Sequence, residues 1–137
     1  MRVKVFCALA AAAFALTACS KSETPAEVQR DVAKAQAEGA RDVADARADA
    51  KEASADADKK VADAIADHDD DNVADAAHDA NEAADKGKAK IMLAQAEADH
   101  KVAVAKCDAL SGAPQKECRD DADKTLDQAK QAAKASD

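Results

Sequence analysis

The chain has 137 residues, with 28 acidic and 20 basic side chains, a formal charge of −8, two Phe and neither Trp nor Tyr. That balance argues against nucleic acid, which is held by clustered Lys and Arg, and against electrostatic docking on anionic headgroups. The apolar residues are mostly Ala, which lacks the large buried side chains, worth about 1.5–3 kcal/mol each, that a compact globular enzyme relies on.

Met1-Arg2-Val3-Lys4 is a short basic segment. The apolar run that follows, Val5 to Leu16, is too short to span a bilayer, and small residues close it at Thr17-Ala18-Cys19. These are the marks of a secretory signal. Leu16-Thr17-Ala18-Cys19 resembles the bacterial lipobox. The resemblance implies cleavage after residue 18, diacylglycerol on the Cys19 sulfur and an acyl chain such as palmitate on its new amine. Three acyl chains exceed the two signals that stable anchoring needs. Residues 1–18 are therefore expected to be a cleaved signal peptide and residues 19–23 a lipidated tether on the periplasmic side of a membrane. Two leaflets stay open. Ser20 resembles the enteric outer-membrane signal, the preferred address, whereas Lys21-Ser22 resembles an inner-membrane retention signal of other proteobacteria. Cleavage would remove both Phe, Phe6 and Phe14, and by taking Arg2 and Lys4 but no acid would lower the formal charge from −8 to −10.

Thr24-Pro25-Ala26-Glu27 opens the first helix, with Thr24 as N-cap, Pro25 at the first helical position and Glu27 reaching back in a capping box. Ungapped segments of eleven residues follow: AEVQRDVAKAQ from Ala26, AEGARDVADAR from Ala37, ADAKEASADAD from Ala48 and KKVADAIADHD from Lys59. Eleven residues in three turns is 3.67 per turn, so the stripe runs nearly straight or drifts weakly right-handed. It comprises Val28, Val32, Ala35, Gly39, Val43, Ala46, Ala50, Ser54, Ala57, Val61 and Ile65. With so little Leu or Ile, a strong coiled coil is not expected. Weak lateral packing is, on a partner helix, a membrane surface or a second copy. Residues 26–69 resemble the repeats of late-embryogenesis-abundant proteins, which implies a protectant that folds on drying or crowded surfaces.

The register fails at Asp67-His68-Asp69-Asp70-Asp71-Asn72, since VADAI at Val61 recurs as VADAA at Val73, twelve residues on. Poor helix formers predict a break near 69–72. A second stretch is expected from about Val73 to Lys86, with Gly87 capping or bending it, so that residues 24–87 form an acidic rod. His68, Asp69 and Asp71, with His78, are the candidates for a divalent-cation site. They lack the glycine and spacing of a calcium loop, and a solvated charge run is the preferred reading.

Residues 88–137 are predicted to form a helical hairpin with its turn at 111–114. Ser111-Gly112 ends one helix, and Pro114 suits the first turn of the next. Cys107 and Cys118 flank that turn by about one helical turn each, close enough for a disulfide. With Cys7 cleaved and Cys19 lipidated, they are the remaining thiols in an oxidising compartment. One face is expected to set Leu93, Ala96, His100, Val104, Cys107 and Leu110 against Cys118, Ala122, Thr125, Ala129 and Ala132. The spacing is not C-x-x-C, and His100 is read as a hairpin residue rather than a redox partner. KCDALSG followed by Cys118 resembles a motif of small Ala-rich proteobacterial envelope proteins, which implies the hairpin and no activity.

The expected fold class is all-α, with extended Ala-rich amphipathic helices, a stapled C-terminal hairpin and little core; partial disorder of the free chain is left open. The sequence carries no catalytic triad, phosphate loop or cofactor motif, so no catalytic residue and no cofactor are assigned. The leading reading is a non-catalytic envelope lipoprotein, a spacer or interaction rod presenting the hairpin to an envelope protein or, non-covalently, to peptidoglycan. Its alternatives are a desiccation protectant and, less favoured, a metal binder acting through the acidic cluster at His68.

Overall fold

The computed structural model describes residues 22–67 and 70–135. Three helices hold nearly all of them: α1 Pro25–Ala66, α2 Asp70–Cys107 and α3 Ala113–Ala135. The described residues are thus all-α, as expected. The expected rod is folded back on itself. α1 and α2 pack side by side over their lengths, α3 packs on the C-terminal half of α2, and the backbones of α1 and α3 do not come into direct contact.

α1 starts where the capping box was expected. Glu27 N–H donates to Thr24 Oγ1 at 3.4 Å, and Thr24 N–H donates to Glu27 Oε2 at 2.9 Å. Two of the helix's orphan donors are thereby satisfied. α1 ends at Ala66, and Asp67 N–H donates to the Asp63 carbonyl at 3.1 Å. Asp70 and Asp71 then open α2, where carboxylates meet the positive end of the helix dipole. The acidic run therefore serves as both a break and a helix start, which places the start of α2 at Asp70 rather than near Val73.

The expected stripe on α1 is the face that packs on α2: Ala35, Gly39, Val43 and Ala57 are buried and most of the others half-buried. Ile65, at the end of the helix, is 56% exposed instead. The register is fixed by two close approaches. A Cβ on Gly39 would lie 2.5 Å from the Ala98 Cβ, and one on Gly87 would lie 3.0 Å from the Ala50 Cβ. Gly87 therefore neither caps nor bends a helix. It sits buried inside an unbroken α2, where the missing side chain lets α1 come close. The expected boundary between rod and hairpin at 87/88 lies within this helix.

Packing is by small residues throughout. The buried apolar set is Ala, one Val and Cys107, and Cys107 is the one fully buried side chain among the described residues. Backbones that approach this closely gain dispersion contacts along their whole length in place of large side-chain burial. Lys101 Nζ donates to Asp42 Oδ2 at 2.6 Å across the α1/α2 seam. Both side chains are about half exposed, so this pair contributes only about 0.2–1 kcal/mol.

α3 returns along α2 after a turn centred on Gly112, whose φ of 68° is left-handed and suits glycine. Its packed face is Cys118, Ala122, Leu126, Ala129 and Ala133. The expected face stepped by seven, from Cys118 through Thr125 to Ala132, but Thr125 and Ala132 are exposed. A straight helix drifts by about 20° per heptad, so a step of eleven, Ala122 to Ala133, keeps the contact. Leu110 also lies outside the packed face, at 40% exposure.

Candidate functional site

The chemistry of the described residues concentrates at the closed end of the α2/α3 hairpin. Cys107, the last residue of α2, and Cys118, in the second turn of α3, form a disulfide with a Cα separation of 5.7 Å. Beside it, Asp108 accepts from Gln115 Nε2 at 3.2 Å and from the Arg119 guanidinium, so one carboxylate ties the end of α2 to two turns of α3. Its backbone carbonyl accepts from Glu23 N–H at 3.0 Å. The start of the described chain is thus pinned to the stapled end. Sequence reasoning missed Asp108, because the contact joins residues far apart in sequence and no motif marks it.

This junction is crowded with acids. Glu23 has its Oε2 buried without a hydrogen-bond partner. Desolvation, with the nearby Asp31 and Asp108 carboxylates, raises its pKa above the ordinary 4.5. Glu27, one turn on, is shifted the other way. The Thr24 backbone N–H and hydroxyl both bind its carboxylate, holding its pKa below 4.5.

His100 pairs with Asp123 across the α2/α3 seam, Nε2 to Oδ1 at 2.7 Å, which gives it a bridging place in the hairpin. Cys19, the expected lipidation site, lies outside the described residues, as do His68 and Asp69 of the expected metal cluster. Asp71 is exposed in the first turn of α2. His78 belongs to a different group: with Asp79 and Glu82 it offers ligand atoms within 4.8 Å of one another, all exposed. Lys86 already binds Glu82 and lowers its pKa below 4.5, so a cation there would compete with an existing ion pair.

No helix among the described residues is long and apolar enough to cross a membrane. Two open grooves flank α3. One, of about 450 Å³, runs along its middle past Ala96, His100, Ala122 and Leu126. The other, of about 500 Å³, lies at its C-terminal end against both α1 and α2. No family model, curated protein or solved structure matches the chain.

Proposed function

We propose that the chain is a non-catalytic, lipid-anchored spacer of the bacterial envelope, secured through Cys19 on the periplasmic side of the outer membrane. The lipobox-like Leu16-Thr17-Ala18-Cys19 supports the anchor. The observation that carries the architecture is the hydrogen bond from Glu23 N–H to the Asp108 carbonyl. Glu23 lies four residues on from Cys19, and four extended residue steps span at most about 14 Å. The stapled turn is then the base of the rod, next to the leaflet, rather than the tip held out to a partner. What projects is the α1/α2 turn, about 60 Å away along a helix of 42 residues. The disulfide and the Asp108 ties stiffen the end that bears the load, and the acidic turn meets the partner or the wall.

Incorporation of labelled palmitate that Cys19→Ala abolishes tests the anchor. The orientation is tested by placing a fluorophore through Lys116→Cys or Asn72→Cys and adding lipids that carry a nitroxide quencher. Quenching at 116 and none at 72 is expected. Equal quenching at both would mean that the helices lie along the membrane, and would sink the spacer reading.

A further inference from the structure

The groove of about 500 Å³ at the C-terminal end of α3 has an apolar floor: Ala50 and Ala53 from α1, Ala83, Ala89 and Leu93 from α2, and Ala133 from α3. Its other lining residues are mostly basic. Lys86 and Lys90 lie one turn apart on α2, Lys130 and Lys134 lie one turn apart on α3, and Asp49 is the single acid. In a chain with 28 acids against 20 basic residues, a four-to-one excess of lysine in one groove runs against the composition. Elsewhere some lysines pair with acids, Lys34 with Glu38, Lys88 with Asp85, Lys116 with Asp120 and Lys101 with Asp42, while Lys51, Lys59, Lys60, Lys106 and Lys124 stand apart rather than gathered in one groove. Lys86 itself holds Glu82. Among the described residues, Lys90, Lys130 and Lys134 have no such acid within 4.0 Å.

Like charges gathered over an apolar trough repel one another, while the trough leaves Leu93, Ala50 and Ala83 only half covered and Ala53 exposed. One ligand chemistry answers both: an apolar chain that carries an anionic head. We propose that this groove binds a single-chain anionic amphiphile, its hydrocarbon along the Ala and Leu93 floor and its head among Lys90, Lys130 and Lys134. The volume lies in the range of small-molecule sites and suits one chain rather than the paired chains of a bilayer lipid. All four cations are Lys, which act as point charges and not as planar forks, so carboxylate and phosphate heads should both be accepted. The proposal does not depend on the anchor, since residues 20–137 contain every helix and contact that forms the groove.

Calorimetry on residues 20–137 with dodecanoate, dodecyl phosphate, inorganic phosphate and dodecyltrimethylammonium, below micelle formation, tests it. Saturable one-to-one binding of the first two is expected, with none of the last two. Shortening dodecanoate to decanoate should weaken binding about fourfold, because each methylene half-covered by an open groove is worth about a factor of two. Lys130→Gln with Lys134→Gln should weaken it about three- to tenfold, the size of two exposed charge contacts. Ala53→Leu should fill the trough from its exposed α1 wall and weaken both amphiphiles, and unchanged helical melts would show that neither variant acts through unfolding. Equal binding of the cationic amphiphile would reduce the site to a greasy surface, and equal binding of inorganic phosphate would reduce it to a charge cluster. A dimer that the amphiphile dissolves would assign the groove to a second copy. Any of these results, or no binding, overturns the proposal.

Discussion

Gly39→Ala and Gly87→Ala are the same substitution in the middle of a helix, yet the packing predicts different outcomes. Removing a helical glycine contributes about 0.8–1 kcal/mol in favour of folding at either site. At Gly39 the new Cβ would meet the Ala98 Cβ at 2.5 Å and the Ala98 Cα at 3.0 Å. Neither atom can rotate away, so α1 and α2 must part over the adjoining turns, an overpacking cost of about 1–3 kcal/mol. The net effect is a loss of about 1 kcal/mol. At Gly87 the nearest atom, the Ala50 Cβ, lies at 3.0 Å and the next at 3.5 Å. A shift of a few tenths of an ångström relieves that contact, and the propensity gain roughly offsets the cost. The two variants should therefore differ by about 1–2 kcal/mol, read as a gap of about 5–15 °C between their thermal midpoints. Gly39→Ala combined with Ala98→Gly moves the missing methyl to the other helix and should recover most of the loss, with a coupling of about 1 kcal/mol in a double-mutant cycle. Equal stabilisation by both single substitutions would refute the close approach of α1 and α2, and with it the folded-back rod.

The remaining expectations concern the base and the free chain. Thr24→Ala removes the α1 cap and should cost about 1 kcal/mol in a denaturant melt. Cys118→Ser opens a cross-link spanning 11 residues. By chain entropy it should cost about 2.5–3 kcal/mol, with a matching loss on adding reductant to the wild type and none on adding it to the variant. Because the Glu23 pKa is raised by desolvation and by Asp31 and Asp108, its contribution is present below the ordinary 4.5 and is lost as pH rises through its folded value. Glu23→Gln should therefore melt higher than wild type at neutral pH, with the gap closing in acid; a gap that is constant with pH would show that the carboxylate is not the cause. Glu27, with its lowered pKa, contributes above 4.5 and loses that contribution as pH falls through its folded value, so Glu27→Gln should show the opposite trend. Circular dichroism of residues 20–137 in dilute buffer should show stable helix; little helix until drying would favour the desiccation-protectant reading instead.

Much of this fold was legible in the spacing of small residues, but not which surface that spacing served. The face from Val28 to Val61 was readable on α1 because steps of three and four repeat every eleven residues. The same period runs along α2, in Ala76, Gly87 and Ala98 and in Ala80, Ile91 and Val102, but among the many other Ala of that helix it does not stand out. Gly87 looked like punctuation because the usual reading of an isolated helical glycine is a cap or bend, and the Ala50 that explains it lies in another helix. At the base, the stapled pair Cys107 and Cys118 was legible from two cysteines around Ser111-Gly112-Ala113-Pro114, whereas Asp108 was not, since an acid in an acidic chain carries no local signal. The groove lysines were hidden likewise: each pair is an ordinary i, i+4 repeat until α3 brings one beside the other.

The twelve-residue step from Val61 to Val73 carries the most information in retrospect. In one continuous helix an extra residue turns every later side chain by about 100°, so the stripe of the second stretch would face away from that of the first. A turn removes this conflict, because a hairpin requires each arm to keep its own period and places no demand on the phase between them. Reversal also makes two arrays of period eleven match in an antiparallel sense. Gly39 and Ala50 are eleven apart on α1, Ala98 and Gly87 are eleven apart on α2, and both close approaches close in a single register. A small side chain thus meets a missing one at two points of the seam one repeat apart, first with the glycine on α1 and then on α2. Shifting the register by one turn would set Gly39 against Gln95 or Val102 and forfeit both contacts at once. That double requirement lets a seam of Ala and Gly specify one alignment without the large residues that usually do so.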